Sequence, residues 1–121
     1  MNYKNKILNY KNLKKTGNIK IVNKNFKIFE SDKLTIDKNS YDGFIEHKLK
    51  EIYLKRGVKD KSFILLHEIL HNIFVQIEKR KDKRIPKKII KKLRSNDYFI
   101  DSLAISLLKT FSLNELKGGI K

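Results

Sequence analysis

At 121 residues the chain has the length of one domain, and an apolar content of 40% is enough to form a core. Cysteine is absent, which excludes disulfides and thiolate metal sites, and no run of about 18 apolar residues is present to form a membrane span. The formal net charge is +16, which points to polyanion affinity or to a lysine-rich coding bias. The bias reading is favoured by the scarcity of arginine (Arg56, Arg80, Arg84 and Arg94 only), because base-reading interfaces rely on the arginine fork.

Residues 1–17 read as a basic, polar arm, in which Tyr3, Ile7, Tyr10 and Leu13 have the spacing of a short docked helix. The arm lacks the continuous apolar stretch of a secretory signal, so a cytoplasmic location is expected. Ile19 to Val22 and Phe26 to Phe29 place apolar residues two apart on either side of Asn23-Lys24-Asn25, which predicts a hairpin. Residues 31–41 read as a loop in which Leu34 and Ile36 can form a short extended piece. Asp42-Gly43 signals a turn. Phe44–His47 and Glu51–Leu54 read as a further strand pair.

Helical spacing begins near Lys61 and runs to Lys79, with Ile64, Leu66, Leu70, Ile73, Phe74 and Ile77 as its stripe. Asp60 or Ser62 is the expected cap. A charged run, Glu78 to Arg84, follows. Pro86 opens a short helix over Lys87–Leu93, and Ser95 or Asn96 caps a third helix from Asp97 to about Phe111. Strands followed by helices predict an α+β fold. It would be a small antiparallel or mixed sheet of three to four strands packed on the long helix and a C-terminal helix. The domain is expected over 18–117, with a tail at 118–121.

The chemistry concentrates at His67-Glu68-Ile69-Leu70-His71. Residues four apart share a helical face, so both imidazoles can meet one metal ion. Zinc sites use this spacing, with the glutamate as general base. Between Ile64 and Ile73 the only ionisable side chains are His67, Glu68 and His71, in a chain that is 35% charged. A buried glutamate without a partner is costly, and a cation with its water supplies one. An amphipathic core helix with two interior histidines is the bland alternative.

Catalytic zinc takes three protein ligands. Asp97 and Asp101 also stand four apart, on a face continued by the apolar Ile100, Ala104 and Leu108. Asp97 is the candidate third ligand, against a bland role as helix cap or first-turn acid. Asp101 is the candidate acceptor for the far nitrogen of a ligating histidine; the two roles can also be exchanged. His47, the remaining histidine, has a surface strand position as its simplest reading.

Leu65-Leu66-His67-Glu68-Ile69-Leu70-His71, followed by Asp97-Tyr98-Phe99-Ile100-Asp101-Ser102-Leu103-Ala104, resembles the small phage and bacterial metallopeptidases of the ImmA/IrrE type, within the gluzincin group. Those proteins carry a glutamate ligand about 25 residues after the double-histidine helix, and here Asp97 stands at that distance. The resemblance extends over roughly residues 18–112. It departs where the family's glutamate is an aspartate, one methylene shorter. It implies a minimal zincin-like fold and a zinc-dependent peptidase that hydrolyses a protein substrate, with Glu68 moving the proton of a water activated by zinc. Tyr98 or His47 would stabilise the transition state. A substrate would lie extended beside Glu51, Ile52, Tyr53 and Leu54 if that strand is a sheet edge. A DNA-bound repressor of a phage or mobile element is the substrate such proteins suggest, and the lysine-rich surface would bring the chain to DNA. Two other classes stand beside this one: a catalytically silent, zinc-stabilised binding module, and a small basic nucleic-acid-binding protein using Lys87-Lys88-Ile89-Ile90-Lys91-Lys92.

Overall fold

In a computed structural model the chain is described over residues 8–80 and 84–111. The order of elements is seven strands and then three helices: β1 (Leu8–Lys11), β2 (Lys14–Ile21), β3 (Lys24–Ser31), β4 (Lys33–Ile36), β5 (Asn39–Ser40), β6 (Gly43–Glu46), β7 (Glu51–Lys55), α1 (Lys61–Lys79), α2 (Lys87–Arg94) and α3 (Asp97–Thr110). The fold is α+β, as the order of patterns predicts.

The main sheet runs β2-β3-β7-β6 and is mixed. β2 and β3 form the expected antiparallel hairpin, closed at Ile21↔Lys24. Its turn falls on Val22 and Asn23, one residue earlier than the asparagine cluster suggests, and Val22 takes a positive φ of 58°. β7 then inserts parallel to β3 and antiparallel to β6. A smaller sheet, β1-β4-β5, covers the other face.

Burial pattern explains this layering. On β7, Ile52 and Leu54 join Ile19, Ile21, Phe26, Ile28 and Ile45 in the layer against α1, where Leu65, Ile69 and Ile73 meet them. Tyr53 points the opposite way, into a cluster with Leu34, Ile36 and Phe44 beneath the small sheet, and its ring stacks on Phe29 at 5.5 Å. A strand covered on both faces is interior. The condition for substrate pairing along Glu51–Leu54, that its strand be a sheet edge, is not met: β7 lies between β3 and β6, and the edges are β2 and β6.

The arm reading also changes. Leu8–Lys11 pairs with β4 from Leu8↔Ile36 to Lys11↔Lys33, and Lys14–Gly17 already pairs with β3. Leu8 and Leu13 pack against the second cluster, and residues 8–11 pair in a sheet rather than forming a docked helix. Residues 1–7 and the expected tail at 118–121 lie outside the described residues.

α1 has its predicted bounds. Asp60 precedes it in a left-handed conformation and makes no side-chain capping bond. The helix is sandwiched: one side packs on the sheet, and the other packs on α3 through Leu70, Ile100 and Ala104, with Leu66, Phe74 and Leu103 beside them. This two-sided burial accounts for the scarcity of charge in its middle. Full burial of a side chain such as Leu70 or Ile100 contributes about 1.5–3 kcal/mol. Pro86 precedes α2 as its N-cap residue, and Arg94 at the end of α2 is ion-paired with Glu78 of α1. No helix among the described residues is long and apolar enough to cross a membrane.

Candidate metal centre

Two turns of helix set the site. His67 and His71 project from one face of α1 toward the first turn of α3, their Nε2 atoms 3.0 Å apart. Asp97 Oδ1 lies 3.1 Å from His71 Nε2 and 3.8 Å from His67 Nε2. These three atoms form a single group that could hold a metal ion. The ligand–ligand edge of a tetrahedral zinc site with bonds of about 2.0–2.1 Å is about 3.3 Å, and the three observed separations bracket it.

Hydrogen bonding behind the rings fixes which nitrogen is free. His67 Nδ1 lies 2.6 Å from Asp101 Oδ1, where the ring N–H donates to the carboxylate. His71 makes a hydrogen bond to the backbone of Arg94 that favours its protonated form. With Nε2 facing Asp97 and His67, that bond belongs to Nδ1. Both Nε2 atoms therefore carry lone pairs. Two lone pairs and a carboxylate oxygen converge with no proton between them, which is repulsive unless a cation sits there. Burial and the neighbouring His67 hold the His71 imidazole below its ordinary pKa, so it is neutral, as a ligand must be.

The roles inferred for the two aspartates agree with this geometry: Asp97 joins the histidine pair, and Asp101 orients His67 from behind. The N-cap of α3 is Asn96, whose Oδ1 accepts from Phe99 N at 3.0 Å, and Asp97 is the acid of the first turn, as its alternative reading has it. The carboxylates share a face with Ile100 and Ala104, which are fully covered, but they lie outside the core: the Asp97 side chain is 77% exposed. The acids line an open cleft instead.

Glu68 is 8% exposed and lines the same cleft. Burial, reinforced by the negative charge of Asp97, pushes its carboxyl up to about 8. A cation nearby acts in the opposite direction, which would leave a basic carboxylate next to the metal group.

The cleft has a volume of about 520 Å³. One wall is the edge strand β6 and its flanks, Asp42 to Ile45 and His47. The opposite wall is α1, with Phe63, Ile64, His67, Glu68 and His71, and Arg94, Asp97 and Asp101 close the end. His47 thus sits in the site rather than on a plain surface strand, although it is not a member of the metal group. Tyr98 is 84% exposed and is not among the lining residues. Its expected transition-state role is not supported, since one step along α3 from Asp97 turns it outward. Glu51, Ile52, Tyr53 and Leu54 are likewise absent from the lining.

Gly43 has a role that its turn-like context concealed. A Cβ at this position would stand 2.6 Å from Ile64 Cγ2 and 3.6 Å from Glu68 Cγ. Only a residue without a side chain lets β6 approach α1 so closely. A glycine at the head of an apolar strand run carries that signal. Compared with models of known families, with curated proteins and with solved structures, the chain finds no match.

Proposed function

We propose that this protein is a zinc-dependent peptidase that hydrolyses a peptide bond in a protein substrate. One observation carries the reading: both ligand imidazoles have their Nδ1 atoms engaged, so three electron-rich atoms face one another at 3.0–3.8 Å, with a buried glutamate beside them in an open cleft.

His67, His71 and Asp97 would hold the ion. Zinc, when bound, supplies a Lewis acid that polarises a carbonyl and acidifies water. Glu68 takes a proton from the attacking water and returns it to the leaving amine, a task suited to a carboxylate whose basicity is raised toward neutral pH. Asp101 holds the His67 ring in its ligating tautomer. The substrate segment would lie along β6, a sheet-edge strand whose Gly43, Phe44 and Ile45 line the cleft, by backbone pairing. We place the protein substrate on DNA, because Lys87, Lys88, Lys91 and Lys92 are all exposed on α2 and α2 contains no acidic residue. DNA affinity by this face should fall steeply with salt.

Elemental analysis of natively purified protein tests the centre, and one zinc per chain is expected. Glu68→Gln should retain zinc and lose hydrolysis of a quenched-fluorescence peptide library. Protein that carries no zinc and takes none up would overturn the reading. A Glu68→Gln variant as active as the parent would overturn the assignment of the base.

A further inference from the structure

Behind the cleft lies a chain of buried amides that the metal group does not use. Asn72 on α1 is 3% exposed, one residue beyond His71. Its Nδ2 lies 2.9 Å from His47 Nδ1. Gln76, one turn further along, places its Nε2 2.6 Å from Asn72 Oδ1 and 2.8 Å from the carbonyl oxygen of Ile21.

The direction of this chain can be worked out from one end. The Ile21 carbonyl can only accept, so the Gln76 atom facing it is the amide nitrogen. That nitrogen donates again to Asn72, whose facing atom must be the oxygen. Asn72 therefore turns its amide nitrogen to His47 and donates to Nδ1. A ring nitrogen that accepts carries no proton, so neutral His47 bears its hydrogen on Nε2. Reversing either amide sets two donors or two acceptors face to face. The half-buried ring stays neutral, since burial and nearby positive charge hold its pKa down at about 4. Nε2 has no hydrogen-bond partner among the described residues. His47 follows the edge strand directly and lines the cleft with His67, Glu68 and His71.

Resting on the peptidase reading, we propose that His47 is a catalytic residue whose fixed Nε2–H donates to the oxygen of the scissile carbonyl as negative charge builds there. The water oxygen adds to the carbonyl carbon, its proton passes to Glu68, and the C=O electron pair moves onto the oxygen held by His47. On collapse the C–N bond breaks and the amine departs with the proton from Glu68. Nothing is oxidised or reduced. A donor locked in place before reaction needs no reorganisation when charge develops, which is what makes such contacts effective. Asn72 and Gln76 act through His47 and are positioning residues.

The test combines kinetics with a readout that needs no turnover. Nitrogen-15 NMR of the imidazoles in zinc-loaded protein should report the Nε2–H tautomer for His47. With one peptide selected by the parent from a quenched-fluorescence library, His47→Ala should lower kcat by about 100–1,000-fold, with zinc stoichiometry and KM near the parent's. His47→Gln, which keeps an N–H donor, should recover part of that loss. Asn72→Leu should give mixed tautomers and a smaller fall in kcat. An Nδ1–H tautomer, or His47→Ala turning over at the parental kcat, overturns the proposal while the peptidase reading stands. A zinc-loaded parent that cuts nothing removes both.

Discussion

The strands from Leu8 to Lys55 bury Phe26, Leu34, Ile52 and Leu54 to 2% exposure or less, and the buried polar Ser31 among them is matched on both sides, accepting from Lys11 N and donating to Lys11 O at 2.9 Å. The seam between α1 and α3 is different. There His67, His71 and Asp97 aim lone pairs at one point, and Glu68 is buried with no counter-charge among the described residues. The sheet half is satisfied as it stands, whereas the helical seam gathers a His67, His71 and Asp97 group that could hold a metal ion. Stability thus resides mainly in the strands and the candidate chemistry in the seam, and substitutions on either side test that division.

The largest effect should come from the sheet half. Phe26→Ala should destabilise the fold by about 3–5 kcal/mol, a large share of the roughly 5–15 kcal/mol a domain has, seen as a lower denaturant midpoint. Because the strands are satisfied without metal, zinc should not reduce this loss beyond what it adds to the parent.

Metal should act on the other half. Zinc at about 100 times its Kd should stabilise the parent by about 2.7 kcal/mol. Amide exchange should slow more across α1 and α3 than across β2 and β3. His71→Ala should abolish the effect. Asp97→Ala should lower zinc affinity sharply, and Asp101→Ala by about 10–100-fold or less, both by competition titration. Equal affinity in Asp97→Ala and the parent would reassign the third ligand and weaken the contrast between the halves.

Gly43 joins the two regions. Gly43→Ala places a methyl 2.6 Å from Ile64 Cγ2 and should cost about 1–3 kcal/mol. Peptidase activity should fall more than stability, because the displaced helix carries Glu68. Ile64→Leu, which removes the β-branch, should restore part of both. Independent, additive losses would show that the close approach is not the cause.

How much of this was legible in the sequence follows the same division. Local signals were enough for α1 and α3, because a 3.6-residue period, an Asn96 cap and a clean apolar window act within a few residues. The metal group was legible for the same reason: His67 and His71 share a turn, and Asp97 and Asp101 share another. Long-range pairing was not. Nothing in Glu51–Lys55 says that its parallel partner is β3, which makes it central, and nothing near Leu8 announces β4. The place of His47 in the cleft was not legible, because it is held there through Asn72 and Gln76, which lie 25 and 29 residues away. Tyr98 was overestimated because sequence adjacency to Asp97 on a helix implies a different face.

Proton linkage should act in metal-free protein, where the cleft holds two groups whose shifts have opposite sign. His47 has a folded pKa of about 4 against an ordinary 6.5. Between those values the unfolded chain binds more protons, so its contribution is complete above about 6.5 and is lost as pH falls toward 4. Glu68 has a folded pKa of about 8 against an ordinary 4.5. There the folded state binds more protons, so its cost is absent below about 4.5 and grows as pH rises toward 8. Denaturant midpoints between pH 4 and 8 with chelator present should separate the two. His47→Gln should flatten the acid limb and leave the alkaline one, and Glu68→Gln should do the reverse. Zinc should erase the Glu68 limb, because a cation at the histidine pair stabilises the charged carboxylate. Persistence of that limb at saturating zinc would place the bound ion away from Glu68 and separate the metal from the proposed base.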